Sequence, residues 1–508
     1  MSWTEESAGR GASAAGPLRL HVPGHKGGSG APPDLLRRWG PAIFADDLTE
    51  VPGLDDLHAP EAAIRESQSA AARLLGARQA FYLVQGSTGG LAAMLVAAAR
   101  TRPGRNRVLV PRYSHRALVT AAVLSGIEPL FGRTVFDAGR PLGLDVAHLR
   151  ELLARHADEC VAVCDLYPTA GGVAGDLAAV AKLAHQYDLP LLVDGAHAAL
   201  FGLDPRLPRS PLELGADAVV LSAHKTLGSL GQSSLLLLSG CTDDLVPADE
   251  VAAALRLLTT TSPSYPLLLS LEAATWHATS PLGRRQLGRA VDAALELRRR
   301  LSALATSVSD APPGWVQDPL RVNVAAMPLA VTGPELASQL REHAGVQVEA
   351  SDWRTVLVVV GLGDDAATLG GLPEALQALQ ARSRLAQAPE LAVPHGGGWA
   401  HRGLLAERAR RLSELTAAVF GQASPPAAGV REAWFGPRES VILEAAVGRV
   451  SAEALAPYPP GVPVVWPGER LSQPVADLLR EVLQAGGAVH GVSKGPGAEY
   501  RCQVKADR

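Results

Sequence analysis

Short apolar runs alternate with longer amphipathic stretches from residue 61 to about residue 275, and the two periods predict two kinds of element. The runs at 80–84, 107–111, 128–131, 161–166, 189–194, 218–222 and 234–238 are nearly continuous in Val, Leu and other apolar residues. A strand apolar on both faces has to be covered on both, so these runs predict an α/β domain built on a parallel or mostly parallel sheet. Helical patterns at 91–100, 116–125, 146–156 and 177–187 separate most of them and supply the crossovers that parallel strands need.

The pattern then changes. Residues 272–306 read as one long helix, and strands at 322–327 and 354–360 around a helix at 333–343 predict a smaller α/β domain over 276–386. The segment 387–398 is rich in Pro and Gly and reads as a linker. A C-terminal α+β domain over 399–508 follows, with helices at 404–420 and 473–484 and strands at 441–444 and 464–465. Residues 1–60 precede the large domain (61–275) as a tail and arm, which includes an extended piece ending in a glycine turn at 18–27.

Composition narrows the function classes. A 508-residue chain that is 47% hydrophobic can bury several cores. A net charge of -4 supplies no basic field for nucleic acid. No apolar run approaches the roughly 18 residues of a membrane span, and the N-terminus lacks the apolar core of a signal peptide. Cys160, Cys164, Cys241 and Cys502 form neither a CxxC pair nor a disulfide framework, so a reducing, cytoplasmic setting and no metal centre are expected. Cys160 and Cys164 are expected on one face of their strand.

Candidate chemistry begins with lysine, because only five stand among 47 basic residues. Lys225 follows an apolar strand and His224 in Ser222-Ala-His-Lys-Thr-Leu227, where a partly desolvated amine can lose its proton and attack an aldehyde. Asp194 ends the run before Gly-Ala-His197, at the strand end where open parallel sheets bind ligands. Gln85-Gly-Ser-Thr-Gly-Gly90 joins a strand to a helix and can cradle a phosphate with its amides, Ser87 and Thr88. His115 leaves the next strand at the same edge. Taken singly these are equally a helix cap, a satisfied histidine and a solvated lysine. Taken together, a glycine turn, His, Asp and Lys at successive strand ends match the needs of pyridoxal 5'-phosphate: Asp for the ring nitrogen and Lys for the aldehyde carbon.

Longer motifs make a likeness specific. The chain resembles the Orn/Lys/Arg decarboxylases, pyridoxal-phosphate enzymes of fold type I, the aspartate-aminotransferase fold. The resemblance rests on His21-Val-Pro-Gly-His-Lys-Gly27, Asp47-Leu-Thr-Glu50, Leu54-Asp-Asp-Leu-His58, Gln85-Gly-Ser-Thr88, Val193 to His197, Ser222 to Leu227 with Gln232, Thr261-Ser-Pro-Ser-Tyr265, Pro457 to Pro463 and Pro467-Gly-Glu469. It implies decarboxylation of a basic amino acid (arginine, lysine or ornithine) to a polyamine-type amine. Lys225 would carry the cofactor, Asp194 would pair with its ring nitrogen, His115 would stack on one ring face and Ala196 would pack on the other. Ser87, Thr88 and His224 would hold the phosphate, and Ser262 would reach the site of a partner subunit. His224 or Lys225 would protonate Cα. The chain resembles the short form of the family, for which a homodimer or a dimer of dimers with shared active sites is expected.

Departures bear on the substrate pocket. The family's Pro-Thr-Tyr appears as Pro168-Thr-Ala170, and Gly195 stands where an acidic residue is usual. Asp46, Asp47, Glu50, Asp55 and Asp56, or Glu469, are candidates for the substrate's distal cation, against a reading of the first group as helix-capping loop residues. No arginine is evident to clamp an α-carboxylate. An aminotransferase or lyase reaction on the same cofactor, and a divergent non-catalytic paralogue, stand as alternatives.

Overall fold

The computed structural model describes residues 19–506, apart from 52–53, 138, 241–244, 307–310, 330, 386–397, 422–425, 459–460 and 485. Cys241 therefore lies outside the described residues. The main sheet has seven strands: β1 (Gln79–Leu83), β2 (Arg107–Pro111), β3 (Glu128–Gly132), β4 (Cys160–Leu166), β5 (Leu191–Asp194), β6 (Ala218–Leu221) and β7 (Ser234–Leu238). Their spatial order is β1-β7-β6-β5-β4-β2-β3. Strands β3, β2, β4, β5 and β6 pair in parallel, while β7 runs antiparallel to both β6 and β1. The C-terminal ends of β1 to β6 and the start of β7 consequently share one edge, and the turn at Ser87, His115, Asp194 and Lys225 follow strand ends along it.

Both faces are covered, as the continuous apolar runs require. Leu109, Val163, Val193 and Leu237 pack on one face, and Val110, Ala162, Leu192 and Leu236 on the other. The helix Gly86–Thr101 is apolar nearly all round because it is sandwiched between the sheet and its neighbours, with Leu91, Met94 and Leu95 fully buried.

Cys160 and Cys164 lie on opposite faces, not one. The β2–β4 register slips between Arg107 and Val108, so that Arg107 pairs with Cys160 but Val108 with Ala162. The extra residue reverses the alternation, and Cys160 packs with Val163 while Cys164 packs with Ala162. The helix expected over 272–306 is two, Tyr265–Thr279 and Pro281–Ala303. Pro281 has no N–H to continue the first, and Ser280 caps the second by accepting from Gly283 N at 3.1 Å.

The smaller unit is an antiparallel sheet of Arg321–Ala325, Thr355–Val359 and Ala350–Ser351, with the helix Gly333–Ala344 capped reciprocally by Thr332 and Glu335. Val316–Gln317 pairs with Val173–Ala174, which brings the start of Arg321–Ala325 to the edge of the large unit. In the C-terminal unit Arg438–Ile442, Tyr500–Lys505 and Val492–Lys494 form a sheet that packs with helix Gln473–Gln484. The strand expected at 464–465 is only an isolated bridge between Leu455 and Val465. A hairpin of Thr134–Asp137 and Arg140–Leu144 was not anticipated; its arms are short and the second is interrupted by Gly143. No described helix is long and apolar enough to cross a membrane.

Candidate active site

The helix Gly86–Thr101 begins without a side-chain cap among the described residues. Its first amides have no intrahelical acceptor, and they face the sheet edge with the positive end of the helix dipole. Gly86 adopts φ 77° and donates its N–H to Gln232 O at 2.7 Å, which turns the chain from β1 into the helix. Gly90 lets the helix pack closely on the sheet: a Cβ there would lie 2.5 Å from the Leu83 side chain and 2.7 Å from that of Val220. Ser222 Oγ donates to Ser87 Oγ at 2.9 Å, joining the ends of β1 and β6. Open amides with Ser87, Thr88 and Ser222 form a donor set that fits a phosphate. His224 stands beside it, its Nδ1 2.9 Å from Ser233 O.

Deeper in the edge, Asp194 and His115 line one cavity with Ser114, Leu118, Cys164 and Asp165. Ala196 is buried, and its N–H donates to Asp194 Oδ1 at 3.2 Å. His115 Nδ1 accepts from Ala117 N at 3.2 Å, and burial holds its pKa below the usual imidazole value although Asp194 pulls upward. A neutral, fixed imidazole ring is suited to stacking. Asp165 was missed by sequence reading because it sits within an apolar run; burial pushes its carboxyl up to about 7.

Lys225 is an exposed residue, although the protein around it desolvates its amine. Burial lowers its pKa; the Asp194 and Glu349 carboxylates oppose that shift and Arg321 adds to it. Its Nζ lies 3.2 Å from His197 Nε2. The other ring nitrogen of His197, Nδ1, meets Arg321. Neither Arg321 nor His197 was assigned a role from the sequence. An arginine thus does reach the site, from the smaller unit and 124 positions from His197, where no local pattern announces it. Gly195 has a steric cause: its backbone lies against β6, and a Cβ would fall 2.9 Å from Val219 and 3.1 Å from Val220 O.

Comparison with known proteins gives the family. A family model described as Orn/Lys/Arg decarboxylase, major domain, matches residues 12–318, and the model of the C-terminal domain matches residues 410–496. The chain belongs to the Orn/Lys/Arg decarboxylase family. As such it is a decarboxylase. It is 32% identical over 483 residues to the arginine decarboxylase of Bacillus subtilis, covering 94% of this chain and 92% of that one. It is 26% identical to the constitutive lysine decarboxylase of Escherichia coli, over 56% of this chain and 48% of the other. Among solved structures, the lysine decarboxylase of Francisella novicida superposes with a TM-score of 0.81 at 18% identity, covering 97% of this chain and 80% of that one, which shows the shared fold.

Four other candidates have surroundings of their own. Ser262 is exposed, in the loop before Tyr265, where its N–H donates to Thr260 Oγ1 at 3.2 Å. Asp55 is a structural cap: it accepts from the backbone N–H groups of Glu61, Ala62, Ile64 and Arg65 at 2.9 to 3.3 Å. Asp47 pairs with His25 at 3.0 Å, which fastens the two N-terminal motifs to each other. Glu469 does not face the site as a receptor for a cation, because Arg112 already occupies it at 2.9 Å.

Proposed function

We propose that the protein is a pyridoxal 5'-phosphate-dependent decarboxylase of a basic amino acid (arginine, lysine or ornithine) that releases CO2 and a polyamine-type amine. The observation that carries the reading is the meeting, at one sheet edge, of the uncapped helix at Ser87 and Thr88, the Asp194–His115 cavity and the Lys225 amine. When bound, the cofactor supplies an electron sink for the pair released as the Cα–carboxylate bond breaks. The amides after Gln85, with Ser87, Thr88, Ser222 and His224, would hold its phosphate. Asp194 would keep a proton on its ring nitrogen, and His115 and Ala196 would confine the ring between them. Lys225 would carry the aldehyde carbon, yield it to the substrate's amine and, with His224, stand ready to return a proton at Cα. The likeness to arginine decarboxylases favours arginine as substrate, a cytoplasmic setting suits it, and the exposed Ser262 suits a homodimer with shared sites.

Arg321 is the one observation that favours another reaction, since a guanidinium near Lys225 is suited to holding a carboxylate that the reaction retains. Its engagement with His197 favours decarboxylation instead. Purified protein supplied with arginine, lysine and ornithine in turn decides. CO2 with amine is the expected result, keto acid or ammonia would establish the second reaction, and no turnover of any of the three would mean a non-catalytic paralogue.

A further inference from the structure

Arg321 is the most deeply buried arginine among the described residues, 1% exposed, and it comes from the smaller unit into the edge of the large sheet. Its place is built. Gly172, at φ 87°, has no room for a Cβ, which would lie 2.5 Å from Arg321 Cβ, and its carbonyl accepts from Asp318 N at 2.7 Å. The stem is therefore held between the turn at Gly171-Gly172 and the strand that pairs Arg321 with Val359.

A guanidinium has only donors, so at the contact with Arg321 the Nδ1 of His197 has to be the acceptor. A neutral imidazole carries one N–H, which is then on Nε2. That hydrogen faces Lys225 Nζ at 3.2 Å. An ammonium has no lone pair and would set N–H against N–H; a neutral amine accepts the bond. We propose that Arg321 is a positioning residue that fixes His197 in its Nε2–H tautomer, and that His197 in turn holds Lys225 as the free amine that captures the cofactor aldehyde.

The surrounding charges agree. Burial and the positive charge of Arg321 keep His197 well below the usual imidazole range, with Lys225, His115 and His224 acting in the same direction. At Lys225, Asp194 and Glu349 favour the ammonium, and burial with Arg321 outweighs them. Charge and tautomer are separable effects: without His197 the positive charge of Arg321 remains, but the hydrogen bond to the amine is gone.

The inference rests on Lys225 being the cofactor-binding amine, and its test reads the amine directly. The full-length chain, freed of cofactor, is acetylated with trace acetic anhydride from pH 6 to pH 10, and Lys225 modification is followed by peptide mass spectrometry. Arg321→Gln and His197→Phe are each expected to raise the reactivity midpoint by about one pH unit, an approximately tenfold loss of labelling on the acid side. Arg321→Lys, which keeps a donor and the charge, is expected to restore most of it. A midpoint unmoved in His197→Phe would overturn the proposal whether or not Arg321→Gln folds. Borohydride reduction of the wild-type holoprotein is run beside it. If the cofactor is fixed on Lys225 while the midpoints do not move, only this inference fails; if it is fixed elsewhere, the reading of the site fails.

Discussion

Arg112 and Glu469 form an ion pair 2.9 Å long where the C-terminal unit meets the large sheet, 4% and 11% exposed. Arg112 Nη2 also donates to Val464 O at 2.9 Å, its guanidinium lies 4.6 Å over the ring of Phe131, and Glu469 accepts from Trp466 N at 2.7 Å. A buried pair adds little over an apolar contact of the same shape, but removing one partner leaves the other charge stranded. Glu469→Ala is expected to lower stability by about 3–5 kcal/mol, read by urea unfolding. A variant of unchanged stability with a raised KM for the distal cation would restore Glu469 to the substrate site.

Asp55 provides a pH-dependent contribution. Burial alone would raise its pKa, but donors from Glu61, Ala62, Arg65 and Asp56 outweigh that and hold the carboxyl below its usual value. Its stabilisation is fully present above the unfolded-state pKa of about 4 and is lost as pH falls through the lower folded value. Asp55→Ala should therefore cost about 2 kcal/mol at pH 7 and much less near pH 3. Equal losses at both pH values would show that the carboxylate charge is not what caps the turn.

Asp194→Ala removes the carboxylate expected to keep the ring nitrogen cationic, without touching the phosphate cradle. The variant should retain cofactor and lose about 10²–10³-fold in kcat. Unimpaired turnover would contradict the electron-sink role.

Glu349 is exposed on the smaller unit and acts electrostatically on both Lys225 and Arg321. A carboxylate that acts on Lys225 would also attract the cationic substrate proposed above. Glu349→Gln should raise KM about threefold to fivefold, the scale of one solvated ion pair, with kcat little changed. A fall in kcat at constant KM would move Glu349 from binding to chemistry.

Much of this was legible because buried parallel strands are continuous apolar runs. β2 and β7 coincide with their predicted bounds, and the glycine turn, His115, Asp194 and Lys225 fall at the sheet edge as expected. The unread parts are long-range or depend on register. A single bulge residue in β4 reversed the face of Cys164, and strict alternation counted along the sequence does not register an extra residue that only the pairing with β2 reveals. Arg112 and Glu469 are 357 positions apart, so the motif around Glu469 was visible but its partner was not. His197 lay inside a quoted motif, and its role depends on Arg321, which carries no signal beyond starting an apolar strand.

The central claim is that Lys225 is the amine that binds the cofactor, and the chain offers only four other lysines, Lys26, Lys182, Lys494 and Lys505. Holoprotein loaded with pyridoxal 5'-phosphate, reduced with borohydride, digested and sequenced by mass spectrometry is expected to carry the pyridoxyl group on the peptide Ser222 to Leu227, at Lys225. A stoichiometric adduct on any of the other four, with Lys225 unmodified, would contradict the account.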